Sequence, residues 1–259
     1  MKLILYTLCF NEADIIPYVV DYWKNLQSQL DEFNVVVFDN YSSDNSVELL
    51  SKYPWIEIRQ FQSDGHNDII QAQIKNVCWL EAKGKADFVI VQDFDEILWT
   101  HQLREELKYM KDNDLNVMAT KGWTFCGSET PQYQEGKYLH QLVKRGYYQY
   151  MNHMAQFKQF FKFMLIDPNK LDTMNWSVGN HICNPKPSMR LYESEKTIVF
   201  HINKGLSEQY FVDKRKRMGE RLSQLNKRYG MGVEYLKSEE ATREEYKQYQ
   251  ANSIDISNL

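Results

Sequence analysis

Phe88-Val89-Ile90-Val91-Gln92-Asp93-Phe94-Asp95-Glu96 runs from an almost wholly apolar stretch directly into three carboxylates. An apolar run of this length, bounded by polar residues, predicts a strand covered on both faces, as in a parallel sheet flanked by helices. The acids then stand where that strand leaves the core.

Working outward, strand and helix signals alternate regularly over the first hundred residues, the pattern of a parallel sheet with crossover helices. Leu3 to Leu8 is the first expected strand, and Ile15, Ile16, Val19, Val20, Trp23, Leu26 and Leu30 recur at helical spacing after it. Val35 to Phe38 and Trp55 to Phe61 are further strands, with a short helix around Val47 to Leu50 between them. Ile69, Ile70, Ile74, Val77 and Leu80 mark a helix that Gly84 helps to end. The fold class is therefore α/β, Rossmann-like, a mostly parallel sheet flanked by helices.

Polar clusters follow each of these strands: Asn11 and Glu12, Asp39 and Asp44, Asp64 and His66, then Asp93, Asp95 and Glu96. In open α/β sheets, ligands bind at the carboxyl ends of the strands, so one sheet edge should carry all of them. The Asp-x-Asp spacing alone is weak, expected about once by chance in a chain of this length. Asp112-Asn113-Asp114 has the same spacing but follows a helix, where a capping turn is the simpler reading. Crowded carboxylates at a strand end are unfavourable without a cation. A Mn²⁺ or Mg²⁺ ion on Asp93 and Asp95 would relieve them and neutralise a diphosphate.

Composition narrows the function classes. Thirty-one basic and thirty-five acidic side chains leave a net charge of −4, too mild to steer the molecule to nucleic acid. Cys9, Cys78, Cys126 and Cys183 are scattered without a CxxC pair, which favours reduced thiols and a cytoplasmic setting. No apolar stretch approaches a membrane span, so at most peripheral contact, at the inner membrane face, is expected.

Four elements together resemble the GT-A nucleotide-sugar glycosyltransferases, specifically the family 2-like bacterial group: the Asn11-Glu12 loop, the Phe38 to Ser46 loop, the Lys75-Asn76 pair, and Asp93-Phe94-Asp95. The resemblance covers roughly residues 1 to 100. It implies that Asp39 contacts the nucleobase beside Asn11 and Glu12, and that the Asp-x-Asp element binds ribose and metal-diphosphate. A carboxylate can accept the imide N–H of uracil or thymine, so a UDP- or dTDP-sugar is the expected donor. Lys75 and Asn76 would lie near the sugar or diphosphate, although Lys75 stands where many relatives carry Arg. As plain helix residues beside Ile70, Ile74 and Val77, they could equally form a solvated edge.

The later half is less regular. A helix over Leu103 to Lys111 and a strand over Val117 to Phe125 precede a polar and aromatic stretch through Tyr150. Phe161-Lys162-Phe163, Asp167-Pro168, Gly179-Asn180-His181 and Ile198-Val199-Phe200-His201 resemble a subgroup in which a Lys and late His residues return to the site. By that likeness Lys162 joins the donor site and His201 completes the metal shell. Glu129 and Asp167 are available as a general base for an acceptor hydroxyl, with no spacing rule to choose between them.

Ser207 to Tyr229 has the pattern of an amphipathic helix on which Lys214, Arg215, Lys216, Arg217 and Arg221 form a solvated basic face. The organisation expected is one domain over residues 1–235, divided into a nucleotide-binding half (1–100), an acceptor half (101–205) and a C-terminal helix (206–235). A charged, solvated tail (236–259) would follow. The function implied is metal-dependent transfer of a sugar, with inversion, to a saccharide or glycolipid acceptor in surface polysaccharide or glycoconjugate synthesis. Nucleotidyl transfer is the rival enzyme reading, opposed by the lack of glycine in Cys9-Phe10-Asn11-Glu12. A non-catalytic sugar-nucleotide-binding module is the other.

Overall fold

The computed structural model describes residues 1–149, 162–202 and 205–259. Its parallel core is β1 (Lys2–Cys9), β2 (Glu32–Asp39), β3 (Ile56–Gln60) and β4 (Phe88–Asp93), in the order β3-β2-β1-β4. Helices α1 (Ile16–Ser28), α2 (Ser46–Leu50) and α3 (Asp68–Val77) make the crossovers. Because β1 lies between β2 and β4, the chain reverses direction across the sheet there, and a crevice opens at the carboxyl edge.

Alternation along the strands fills two cores. Leu3, Leu5, Phe88 and Ile90 face α1 and α4 (Leu103–Asp112), whereas Tyr6, Val89 and Val91 pack on the other face against Trp79 and Trp176. With both faces covered, β4 can be apolar from Phe88 to Val91.

Beyond β4 the sheet becomes mixed. β8 (Lys162–Ile166) runs antiparallel to β4 and to β6 (Val117–Phe125), which in turn pairs antiparallel with β7 (Arg145–Gln149). β9 (Leu191–His201) joins the other side of β6 in parallel and pairs antiparallel with β5 (Glu96–Trp99). The parallel order read from the sequence thus belongs to the first four strands. The short helix α5 (Leu139–Leu142) precedes β7.

The single late helix expected over Ser207 to Tyr229 is two: α6 (Glu208–Glu220) and α7 (Gln224–Tyr229). Ser207 and Ser223 cap them, their hydroxyls accepting from the Tyr210 and Asn226 amides. Between the helices, the Arg221 carbonyl accepts from the His66 amide at 2.7 Å and the Ser223 amide donates to the His66 carbonyl. Gly65 permits this approach: its φ is +109°, and a Cβ there would sit 2.1 Å from the Arg221 carbonyl oxygen.

The segment expected to be a solvated tail is instead packed. It forms α8 (Glu239–Ala251) and β10 (Ile254–Asp255), which pairs with β7. Tyr246 is fully buried and its hydroxyl donates to the Gly127 carbonyl at 2.6 Å, while Arg215 on α6 makes two bonds to Glu245, at 2.7 and 2.8 Å. Aromatic residues spaced through a charged helix supply the buried face. Among the described residues, no helix is long and apolar enough to cross a membrane.

Candidate active site

A cavity of about 700 Å³ lies along the carboxyl edge of the sheet. Phe10, Asn40, Phe61, His66, Gln71 and Arg221 line the part beside β1, β2 and β3. Asp93, Asp95, Glu96, Lys75, Lys162 and His201 line the part at β4, β8 and β9, with Tyr147, Tyr148 and Tyr249 also on the wall.

The acidic centre is built by a tight turn. Asp93 closes β4, Phe94 is buried edge-on against Trp23, and Glu96 opens β5, paired with His201. Burying Phe94 leaves Asp93 and Asp95 in the cavity wall, and the Asp95 carbonyl accepts from the Ile202 amide at 2.8 Å.

Lysines from three distant places meet these acids. Lys75 donates to Asp93 Oδ1 at 2.5 Å, and Lys162 reaches Asp93 Oδ2 at 3.4 Å and Glu96 Oε1 at 2.5 Å. Lys214 lies 3.0 Å from Asp95 Oδ2 and 3.2 and 3.3 Å from the two oxygens of Glu12. His201 Nε2 is 3.8 Å from Asp95 Oδ2, and its Nδ1 is 3.3 Å from Gln149 Oε1. Four carboxylates therefore share three ammonium groups and an imidazole.

The electrostatics follow from burial and pairing. Burial opposes ionisation of Asp93, yet Lys75 and Lys162 hold it well below the usual carboxylate range. Asp95 is likewise held low, against burial, by Lys214 and His201. For Glu12 and Glu96 burial wins and raises each carboxyl to about 7, despite the adjoining lysine. Lys162 and Lys214 are held protonated against burial by the same acids.

The remaining sequence candidates fall into two groups. Asn11 and Asp39 build the loops next to the cavity. Asp39 is fully buried and accepts from the Ser42 amide and hydroxyl at 3.0 and 2.5 Å. Asn11, at φ +52°, accepts from the Ser43 amide at 2.7 Å, while its own amide donates to the Ser42 hydroxyl. The neighbouring Phe10 and Asn40 line the cavity instead. Asn76 braces its far wall by bonding the Trp176 amide and carbonyl at 2.8 and 3.0 Å.

Both candidate bases stand outside the cavity. Glu129 is exposed on a loop. Asp167 caps the turn Pro168–Lys170 beyond the end of β8 that pairs with Val89, roughly 15 Å along the strands from Asp93. Phe161 lies outside the described residues.

Two lysines overturn simple solvation. Lys75 is the buried residue of α3 at 2% exposure, whereas Val77, expected on an apolar face, is 59% exposed. Lys214 and Arg215 are buried on α6. They follow Phe211 by three and four residues and precede Met218, which places them on the same helical face, the available sequence signal. Arg221, expected on the solvated face, instead lines the cavity over Phe10: the guanidinium carbon lies 3.0 Å from the ring centroid, and burial lowers the Arg221 pKa to about 10.

A parallel nucleotide-type sheet continued by antiparallel strands, with an Asp-x-Asp turn at its reversal point, defines a GT-A glycosyltransferase. The chain belongs to glycosyl transferase family 2, whose profile matches residues 5–175. No curated protein sequence matches it significantly. Among solved structures it is similar to S. aureus TarS residues 1–349, at 15% identity and TM-score 0.49, over 94% of this chain and 71% of that one. The same TarS fragment with UDP gives 16% identity and 0.47, covering 91% and 71%, and with UDP-GlcNAc 14% and 0.44, covering 91% and 72%.

Proposed function

We propose that this glycosyltransferase moves a sugar from a UDP- or dTDP-linked donor to a saccharide or glycolipid hydroxyl, assisted by Mn²⁺ or Mg²⁺, in surface polysaccharide or glycoconjugate synthesis. The observation that carries the reading is the division of one cavity into a ring-and-amide part and a charged part. Phe10 and Phe61 offer ring surface and Gln71 a neutral amide suited to a nucleoside, beside Asn40, whose own amide is held by Ser63 and the Gly65 carbonyl. Lys75, Lys162 and Lys214 gather ammonium groups suited to a diphosphate in the other part. Tyr147, Tyr148 and Tyr249 present aromatic rings on the wall, suited to an acceptor sugar.

The donor chemistry suits an ion at Asp95 and His201, a hard carboxylate and an imidazole 3.8 Å apart in the cavity wall. Such small divalent ions keep waters and take phosphate oxygens, so two protein ligands suffice. Among the described residues no group of three His, Cys, Asp or Glu side chains is placed to hold a metal unaided. Asp93 has both oxygens on lysines and is better suited to fixing Lys75 and Lys162. The ion would neutralise the departing diphosphate.

A thermal-shift panel of UDP- and dTDP-sugars with and without Mn²⁺ tests the donor class, because a ligand selective for the folded chain raises the midpoint with occupancy. No rise with any member would sink the reading. Asp95→Asn should cut metal-stimulated transfer at least about a hundred-fold with the fold intact. The anomeric configuration of the product, read by NMR, tests the inversion that the family resemblance implies.

A further inference from the structure

We propose that Lys214 is an internal counter-cation that competes with the divalent ion for Asp95, so that ion uptake is coupled to arrival of the nucleoside diphosphate. The inference rests on the metal reading above and adds an order to it. Lys214 Nζ sits 3.0 Å from Asp95 Oδ2, the oxygen nearest His201 Nε2. An ion bound between these donors would meet an ammonium already holding the carboxylate. Two cations on one buried oxygen repel strongly, because the surroundings screen them little.

Lys214 has somewhere to go. Both oxygens of Glu12 lie 3.2 and 3.3 Å from its Nζ, so a small side-chain movement keeps it paired after Asp95 is surrendered. Its side chain is only 7% exposed, and it lines the cavity, where an incoming diphosphate offers further acceptors. Lys75 and Lys162 are placed differently, on Asp93 and Glu96. The ion alone leaves Lys214 only Glu12 and adds two positive charges beside it, whereas the ion with a diphosphate brings the negative charge that makes the exchange favourable. The coupling is reciprocal: the ion should strengthen nucleotide binding by the factor by which the nucleotide strengthens ion binding.

The test is Mn²⁺ binding, read by the electron paramagnetic resonance of free Mn²⁺ and by calorimetry, with and without UDP, on the full chain. Unaltered protein should bind Mn²⁺ weakly alone and more tightly, on the order of ten-fold, with saturating UDP. Lys214→Met should bind Mn²⁺ without UDP about ten-fold more tightly than the unaltered chain, and the coupling left should be the part the ion makes directly with the diphosphate. Glu12→Gln should act oppositely, weakening Mn²⁺ binding, since it removes the alternative partner of Lys214; it also serves if Lys214→Met does not fold. A merely structural Lys214 would leave Mn²⁺ affinity unchanged, and equal affinities without UDP in these forms would overturn the inference while leaving the metal site standing. Absence of Mn²⁺ binding by the unaltered chain even with UDP would overturn the metal reading, and this inference with it.

Discussion

The two halves of the chain bring opposite charges to one cavity. Glu12, Asp93, Asp95 and Glu96 all come from the first hundred residues, while Lys162, His201, Lys214 and Arg215 come from the remainder. Among the described residues lining the cavity, Lys75 from the first part and Glu234 from the second cross that division. The acids are positioned locally, at the ends of strands whose neighbours are adjacent in the sheet, whereas the later cations are positioned by the packing of β8, β9 and α6 on that sheet. The site is thus an electrostatic joint, and its two sides should respond differently to substitution.

After the Asp95 substitution, the largest effect is expected at the joint itself. Lys162→Met should strip Glu96 of its buried partner and destabilise the fold by about 3–5 kcal/mol in urea unfolding. Adding Glu96→Gln should recover much of the loss, because no uncompensated charge then remains. The single-variant penalty should also depend on pH. A carboxyl raised from 4.5 to about 7 in the fold holds its proton there while the unfolded chain releases it, so this stabilising difference is lost as pH rises through that window. Removing Lys162 should raise Glu96 further, making the penalty smaller in acid, where the buried carboxyl is neutral. A pH-independent loss would show that the charge pair is not its source.

A smaller effect belongs to the clamp behind α6. Arg215, Tyr249 and Lys237 outweigh burial to lower the Glu245 carboxyl from 4.5 to about 2. Its stabilisation is therefore present above about 4.5 and lost as pH falls toward about 2. Glu245→Gln should cost about 1 kcal/mol at neutral pH, allowing for solvent screening, and nothing in strong acid, as measured by melting across pH.

Smaller in reach is Asn76→Ala, which removes both bonds to the Trp176 backbone. We expect about 1–2 kcal/mol of local stability to be lost, with faster amide exchange near Trp176. Unchanged exchange would mean that the wall is braced elsewhere. Least of all, Glu129→Gln should leave kcat unaltered, since the residue is exposed outside the cavity; a large fall would restore it as a candidate base.

Legibility in the sequence followed the range of the forces involved. The strand from Phe88, the Asp93-Phe94-Asp95 turn and the end of β9 at His201 were visible because strand period and strand-end polarity are local patterns. Lys214 reads as a solvated residue because a lysine on a charged helix usually is one, and its partners Glu12 and Asp95 are more than a hundred residues away. The packed end of the chain is hidden in the same way: Tyr246 carries its apolar burial among eight charged or amide neighbours on α8. Asp39 shows the converse, a residue whose position was legible but whose side chain is engaged by Ser42 within its own loop.

By itself the sequence determined that a parallel α/β sheet would form and that its carboxyl edge would bear clustered acids, since apolar periodicity and the points where strands leave the core are properties of neighbouring residues. Only the tertiary structure decided which cations answer those acids, and which acids enter the cavity at all. Burying a lysine requires a carboxylate brought beside it by folding, and sequence separation carries no record of that meeting.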